Sequence, residues 1–173
     1  SVMRETPLPG AILTRVARSH VRIGTFQYFA SVKDIKALDL LTNYVFERHY
    51  SSYPVRENKA LALLEAVMES RAKLVAKWQS VGFVHGVMNT DNMLVSGETI
   101  DFGPCAFIDN FKKSAVFSSI DHMGRYSYEN QPNVAHWNIA CLAQALLPLI
   151  AQNEGRALEL AKEVIETFPS LYR

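Results

Sequence analysis

One ordered run of segments in the middle of the chain constrains its fold more than any other feature. A helical pattern over about residues 58–80 is followed by a polar, irregular stretch, residues 83–93. A short hairpin is predicted next, with residues 93–95 against about 98–100, and the turn Asp101-Phe102-Gly103-Pro104 follows it directly. In this order, the hairpin fixes the polar stretch and the acidic turn relative to each other.

The flanking regions are mainly helical by pattern. Asp34 can cap a helix that runs to about residue 49, and two further helices are predicted over about residues 134–150 and 156–168. Residues 111–133 are rich in loop formers, and residues 11–21 fit either a strand or a short helix. The expected fold class is therefore mainly α with a small β-hairpin (α+β). One face of the first helix is expected to carry Ile35, Leu38, Leu41 and Val45, and the helix over residues 58–80 to bury Leu61, Leu64, Met68, Val75 and Trp78.

Composition excludes several classes of function. The chain has 173 residues and a net charge of +1, and it lacks a dense basic patch, so we expect no nucleic-acid partner. It has no run of 18 apolar residues, so we expect no membrane span, and residues 139–151 are interpreted as a buried helix. Two cysteines, Cys105 and Cys141, are too few for a disulfide framework or a zinc site and fit a reducing compartment.

The polar stretch carries the residues best suited to chemistry. It reads His85-Gly86-Val87-Met88-Asn89-Thr90-Asp91-Asn92, and it resembles the catalytic loop of a protein-kinase C-terminal lobe, where the pattern H-x-D-x-x-x-x-N precedes a hairpin and D-F-G. Asn92 and Asp101 offer hard oxygen donors that suit Mg²⁺ bound to phosphate. Each piece is weak alone, but their order and spacing together favour a kinase-like C-lobe.

One position departs from the kinase pattern. Val87 stands where the catalytic aspartate belongs, and valine cannot accept a proton from an attacking hydroxyl. The chain is therefore either a kinase-fold protein without catalysis or one with a relocated base. Asp91 is the only carboxylate of the loop, and its structural alternative is to cap the loop through an Asx-turn. We favour Asp91 as the base because the loop otherwise has none.

These residues resemble the selenoprotein O (SelO) family. The resemblance covers nearly the whole chain and is strongest over residues 85–93 and 99–104. Further matching segments are Leu13-Thr14-Arg15-Val16-Ala17, Gly24-Thr25-Phe26, Asp121-His122, Gly124-Arg125-Tyr126, Asn130-Gln131-Pro132 and Trp137-Asn138.

The resemblance implies a protein adenylyltransferase. Such an enzyme binds ATP in a flipped orientation and transfers AMP to Ser, Thr or Tyr hydroxyls of proteins, so ATP and protein substrates are the expected partners. By motif match, Asp91 would be the proton acceptor, and Asn92 and Asp101 would bind Mg²⁺, with Mn²⁺ as another candidate. Arg15 and Arg22 would contact the nucleotide phosphates, and Asp101 would contribute to nucleotide binding through its metal. The alternative for the two arginines is an ordinary position at the surface, which is the more usual one for this residue type.

The resemblance also implies that residues 1–173 are part of a kinase-like catalytic domain. The glycine-rich loop with the Lys and Glu of the N-lobe should precede residue 1, and the family's C-terminal region should follow residue 173, so the isolated chain is expected to be inactive. The rival expectations are a phosphotransferase with a relocated base and a non-catalytic pseudokinase. The expected location is the cytoplasm for a bacterial protein and the mitochondrion for a eukaryotic one.

Overall fold

The chain folds as six helices with two short pairs of antiparallel strands, in a computed structural model that describes Val2, Met3 and residues 6–172. Strand β1 (Val2–Met3) pairs with β2 (Pro7–Leu8), and β3 (Phe83–Val84) pairs with β4 (Ala106–Phe107). The predicted mainly α chain with a small antiparallel sheet is confirmed. The helices are α1 Ile23–Ser31, α2 Ile35–His49, α3 Lys59–Ser80, α4 Gln131–Ile150, α5 Glu154–Glu166 and α6 Phe168–Tyr172.

Side-chain caps explain where α2 and α3 begin. The carboxylate of Asp34 accepts a hydrogen bond from the Ala37 amide over 3.0 Å, and the Asn58 side chain accepts one from the Leu61 amide over 3.0 Å. Each cap satisfies an amide that the first helical turn leaves without an intrahelical partner. Both predicted helix starts are confirmed.

Helices α3 and α4 form the centre of the hydrophobic core. The predicted stripe of α3 is buried, with Leu64 and Val75 fully inaccessible, and Ile139 and Leu142 of α4 are fully buried as well. Burying one such side chain stabilises a fold by about 1.5–3 kcal/mol. On the predicted face of α2, Leu38 and Val45 are fully buried, whereas Ile35 lies in the first turn and is 41% exposed.

Helix α4 is also the longest apolar segment. The stretch Tyr128–Ile150 is long and apolar enough to cross a membrane by length and composition, with a mean hydropathy of 1.2. Half of that window is buried inside the fold, where α4 packs against α1, α3 and α5. The interpretation of residues 139–151 as a buried helix is confirmed, and this length and composition are those of a core helix.

Three local expectations need correction. Residues 11–21 form neither strand nor helix, and α1 follows where no helix was predicted. The hairpin over residues 93–100 is reduced to one bridge between Met93 and Thr99. On their other side, residues 93–95 pair with residues 21–23, where the Ile23 amide donates to Met93 O over 3.0 Å and the Val95 amide donates to Val21 O over 3.1 Å.

Candidate active site

His85 ties the start of the candidate catalytic loop to the segment before Asp101. The ring is fully buried, its Nε2 lies 2.7 Å from Ile100 O, and its Nδ1 accepts a hydrogen bond from the Val87 amide over 3.3 Å. Because Nδ1 accepts, Nε2 carries the proton and donates to the carbonyl. Burial lowers the pKa of His85 below its ordinary value of 6.5, which keeps the ring neutral. His85 therefore has a structural role.

Two buried polar side chains of α4 hold the same loop. Gln131 accepts a hydrogen bond from the His85 amide and donates one to Phe83 O, both over 2.9 Å. Asn138, about two turns further along the same face of α4, donates to Met88 O over 2.8 Å. These bonds satisfy backbone groups that have no ladder partner, so the loop conformation depends on the position of α4.

Glycine at position 86 allows the loop to contact the acidic turn. Gly86 has a φ of +83°, and a Cβ placed there would lie 2.9 Å from Pro104 Cγ and 3.0 Å from Pro104 O. Any side chain would therefore push the loop away from the segment that follows Asp101-Phe102-Gly103. The two motifs that the sequence singled out are in direct contact.

Asp91 and Asn92 lie in a single 3-10 turn, Thr90–Asn92, on which the start of α1 packs. The Asn92 amide nitrogen of the side chain donates to Val87 O over 3.1 Å. Because that carbonyl can only accept, the orientation of the amide is fixed and Oδ1 stays available for a ligand. Asp91 is exposed, and within residues 6–172 no hydrogen bond to its carboxylate is present, so the Asx-turn alternative has no support there.

The segment that ends the loop is supported from the core. Buried Arg71 of α3 donates to Leu94 O, and the Tyr50 hydroxyl donates to Val95 O over 2.6 Å. Burial lowers the pKa of Arg71 to about 10, which leaves the guanidinium charged at neutral pH. The residues just after Asn92 are thus fixed by backbone pairing on one side and by core side chains beneath.

Asp101 is the point at which the two predicted phosphate-binding arginines meet. Both of its carboxylate oxygens form ion pairs: Oδ1 with Arg15 Nη1, and Oδ2 with Arg22 Nη2 at 3.0 Å. The side chain is only 16% accessible, so these charges interact in a partly desolvated setting. Asp101 also has a φ of +61°, a left-handed conformation that aspartate tolerates better than most residues.

A cavity of about 440 Å³ lies beside this ion pair. Its volume is in the range of small-molecule sites, and Arg15 contributes to its wall. It is lined by residues 13–17, Thr99, Ile100, Phe102 and Gly103.

A metal at this place would depend on few protein ligands. Among the residues that the structure describes, no group of three or more His, Cys, Asp or Glu side chains is arranged to hold a metal ion. One carboxylate, Asp101, and one free amide oxygen, Asn92 Oδ1, make a donor set of hard oxygens that fits a magnesium ion which takes its other ligands from phosphate and water. The residues present therefore fit such an ion only when a nucleotide supplies the remainder.

Comparison with known proteins identifies the family. The model of the family described as protein adenylyltransferase SelO matches residues 1–173. The chain belongs to the SelO family. It is similar to proteins named protein nucleotidyltransferase YdiU: 58% identical over 171 residues to that of Anoxybacillus flavithermus, 54% over 173 residues to that of Clostridium botulinum and 54% over 173 residues to that of Nitrosococcus oceani. The alignments cover 99–100% of this chain and 35–36% of those relatives, so the chain spans about a third of their length.

In this SelO-family chain the predicted site residues separate into two groups. Arg15, Arg22 and Asp101 are brought into contact. Asp91 and Asn92 lie together in the neighbouring turn, and a metal shared by Asn92 and Asp101 stays a prediction.

Sequence reasoning missed a second set of residues around the site. The Tyr126 hydroxyl donates to Asn89 Oδ1 over 2.5 Å, and Asp121 holds Tyr126 by accepting from its amide over 2.8 Å. Both lie in segments that resemble the SelO family, but spacing alone gives them no partner. Arg18, which had no assigned role, pairs with Glu98.

Proposed function

We propose that the protein containing this chain is a protein adenylyltransferase, which transfers AMP from ATP to Ser, Thr or Tyr hydroxyls of protein substrates. We further propose that residues 1–173 are part of a kinase-like catalytic domain whose nucleotide site is completed by the rest of the protein. One observation carries the proposal: two guanidinium groups meet the carboxylate of Asp101 beside a loop that presents the carboxylate of Asp91.

The proposed role of Asp91 is to accept the proton of the attacking hydroxyl. Its carboxylate is exposed, and it lies in the loop that lacks the usual kinase base because position 87 is valine. The hydroxyl oxygen forms a bond to the α-phosphorus of ATP, the bond from that phosphorus to the bridging oxygen breaks, and pyrophosphate leaves. Asp91 therefore acts only in the chemical step.

Arg15 and Arg22 are proposed to bind the β- and γ-phosphates. Negative charge builds on these phosphates as pyrophosphate departs, and fixed guanidinium groups stabilise that charge without reorganising. In the structure both side chains converge on one carboxylate, which supports their binding of one polyanion.

Asn92 and Asp101 are proposed to hold a divalent metal ion, Mg²⁺ or Mn²⁺. Such an ion, when bound, would neutralise phosphate charge during transfer. The two residues supply the protein oxygens, and Asn92 is prepared for this by the bond from its side-chain nitrogen to Val87 O.

The test is intact-mass analysis of candidate substrate proteins incubated with the full-length protein, ATP and Mg²⁺. A gain of one AMP unit supports the proposal. Resistance of the modification to hydroxylamine excludes attachment to a carboxylate, and tandem mass spectrometry then assigns the modified hydroxyl. A gain of one phosphate would contradict the proposal and favour a kinase with a relocated base. No gain of either, with ATP bound, would favour the pseudokinase.

The same assay tests the isolated chain. Because it spans about a third of its relatives' length, we expect the 173-residue chain alone to transfer no AMP. The relatives named above are bacterial proteins, and for a bacterial protein the proposed location is the cytoplasm, which cell fractionation tests.

A further inference from the structure

The two proposed phosphate-binding arginines lie on a segment with little regular structure of its own. Residues 15–22, here called the arginine segment, contain no helix and take part in one bridge, between Arg22 and Leu94. Arg22 is fixed further because its amide donates to Thr25 Oγ1 over 3.2 Å at the start of α1. Within residues 6–172 no backbone hydrogen bond is present at Arg15, so the nearest backbone support along the segment is that at Arg18.

Arg18 makes contacts through its amide, its carbonyl and its guanidinium. Its amide donates to Glu98 Oε2 over 3.2 Å, and its guanidinium donates to Ser96 O over 2.8 Å. Its carbonyl accepts two hydrogen bonds from one guanidinium, Arg48 Nε at 3.2 Å and Nη2 at 3.0 Å. Glu98 is itself oriented by the Ser96 hydroxyl, which donates to Oε2 over 2.8 Å.

The value of these contacts is positional. The Arg18 side chain is 64% exposed, and an exposed ion pair such as that with Glu98 adds little stability. The bonds to the Arg18 amide and carbonyl are different, because they fix the backbone midway between Arg15 and Arg22. A backbone held there from two sides, by the turn at residues 96–98 and by α2, limits where the Arg15 guanidinium can reach.

We propose that Glu98 and Arg48 are positioning residues for nucleotide binding, which act by holding Arg18 so that Arg15 presents its guanidinium to the phosphates of ATP. This inference rests on the proposed function of Arg15. Neither residue touches the substrate in this account, so their effect must pass through the arginine segment.

The experiment measures the affinity of the full-length protein for ATP in the presence of Mg²⁺ by isothermal titration calorimetry, using Glu98→Ala, Arg48→Ala and Arg15→Ala. We expect each single variant to bind ATP about 3- to 30-fold more weakly. Glu98→Ala should cost no further affinity when Arg15 is already alanine, because the lost positioning acts only through Arg15. Glu47→Ala is the control, since Glu47 neighbours Arg48 on α2 and its ion pair in the described part of the chain is with exposed Lys59.

If Glu98→Ala lowers ATP affinity equally in the wild type and in Arg15→Ala, the inference is overturned. Full ATP affinity in both Glu98→Ala and Arg48→Ala would overturn it as well. Glu98→Gln keeps an acceptor for the Arg18 amide and Arg48→Lys keeps a donor, so each should restore part of the affinity. If an alanine variant does not fold, the cycle is measured with these conservative variants instead. If the wild type binds ATP but transfers no AMP, the proposed function is overturned, but the effects of these variants on ATP affinity can still be measured. If the wild type binds no ATP, both the proposed function and this inference are overturned.

Discussion

Arg22 and Asp101 form an ion pair in which Nη2 lies 3.0 Å from Oδ2, while Arg15 pairs with the other carboxylate oxygen. The residue proposed to bind the metal is therefore already neutralised by the residues proposed to bind phosphate. A cation that approaches Asp101 is repelled by the two guanidinium groups and competes with them for the carboxylate, whereas a polyphosphate attracts both guanidinium groups away. Metal and nucleotide should consequently bind better together than separately.

The first prediction concerns the metal without nucleotide. In the full-length protein, Arg22→Ala should tighten Mn²⁺ binding about 2- to 10-fold, because it removes a competing charge from a partly exposed ion pair. The same change should weaken ATP binding. Electron paramagnetic resonance of free Mn²⁺ measures the first effect, with Arg156→Ala as a control that breaks only an exposed pair on α5. Unchanged or weaker Mn²⁺ binding would show that Arg22 does not compete with the metal.

The second prediction separates chemistry from binding. Asp91→Ala should lower the rate of AMP transfer about 100- to 10,000-fold and change ATP affinity little, because a general base acts only in the transition state. Asp101→Ala should impair both the rate and the binding of metal and ATP. Quenched-flow single-turnover assays together with calorimetry distinguish these effects. Near-normal turnover by Asp91→Ala would remove it from the mechanism.

Val87→Asp provides a complementary test. It restores a carboxylate at the usual kinase position, yet we expect no efficient protein phosphorylation, because ATP in the flipped orientation that we expect from the family resemblance would present its α-phosphorus to the loop. Radiolabel transfer from γ-labelled and α-labelled ATP measures the two outcomes side by side. Efficient transfer of the γ-label would favour the relocated-base kinase over the adenylyltransferase.

The third prediction concerns stability. Gln131→Leu should lower the free energy of unfolding of the 173-residue chain by about 2–5 kcal/mol, since it leaves the buried His85 amide and Phe83 carbonyl without partners. Gln144→Leu, an exposed position on the same helix, should change it by less than about 0.5 kcal/mol. Urea unfolding followed by circular dichroism compares the two. Equal effects would mean that the backbone groups find other partners.

The fourth prediction is a pH dependence that arises at His85. Burial lowers its pKa in the folded state, so below its ordinary value of 6.5 the unfolded chain binds a proton that the folded chain does not. Stability should therefore fall as the pH decreases from 6.5 towards the folded pKa, and it should be highest above 6.5. His49, whose pKa is also lowered, chiefly by burial, adds to the same trend.

His85→Gln isolates the contribution of His85. Glutamine can still donate to Ile100 O but does not titrate. Between pH 7 and pH 5 the free energy of unfolding of the variant should therefore depend less steeply on pH, by the slope that corresponds to the uptake of about one proton on unfolding. Chemical denaturation across this pH range measures the difference. Parallel pH profiles would place the titration elsewhere.

Local signals predicted the helices well and the irregular parts poorly. Asp34 and Asn58 carry their own capping chemistry, so the starts of α2 and α3 could be read from the residues. Helix α1 has no such signal: its N-cap residue is Arg22, and Gly24 is the second residue of the helix. Its packing on the turn of Asp91, where a Cβ on Gly24 would lie 3.4 Å from the Asp91 backbone, is a tertiary contact that no local pattern reports.

The site shows the same division. Asn92 and Asp101 were predicted from spacing, and Arg15 and Arg22 from resemblance to the SelO family. The contact of these arginines with Asp101 depends on a backbone pairing between residues 21–23 and 93–95. This pairing joins segments about seventy residues apart, and neither segment carries a local sequence pattern that predicts it. Arg18 could not be assigned for the same reason, because its partners Glu98 and Arg48 lie on different elements.

The pairing of residues 21–23 with residues 93–95 also bears on how the site can move. It joins Arg22 to the backbone that leaves Asn92, while Arg71 and Tyr50 hold that backbone to the core. Arg22 and the turn of Asp91 must therefore travel as one rigid body. Among the site segments that the structure describes, those outside this pairing and therefore free to move towards a nucleotide are the Arg15 end of the arginine segment and the exposed Phe102-Gly103 turn.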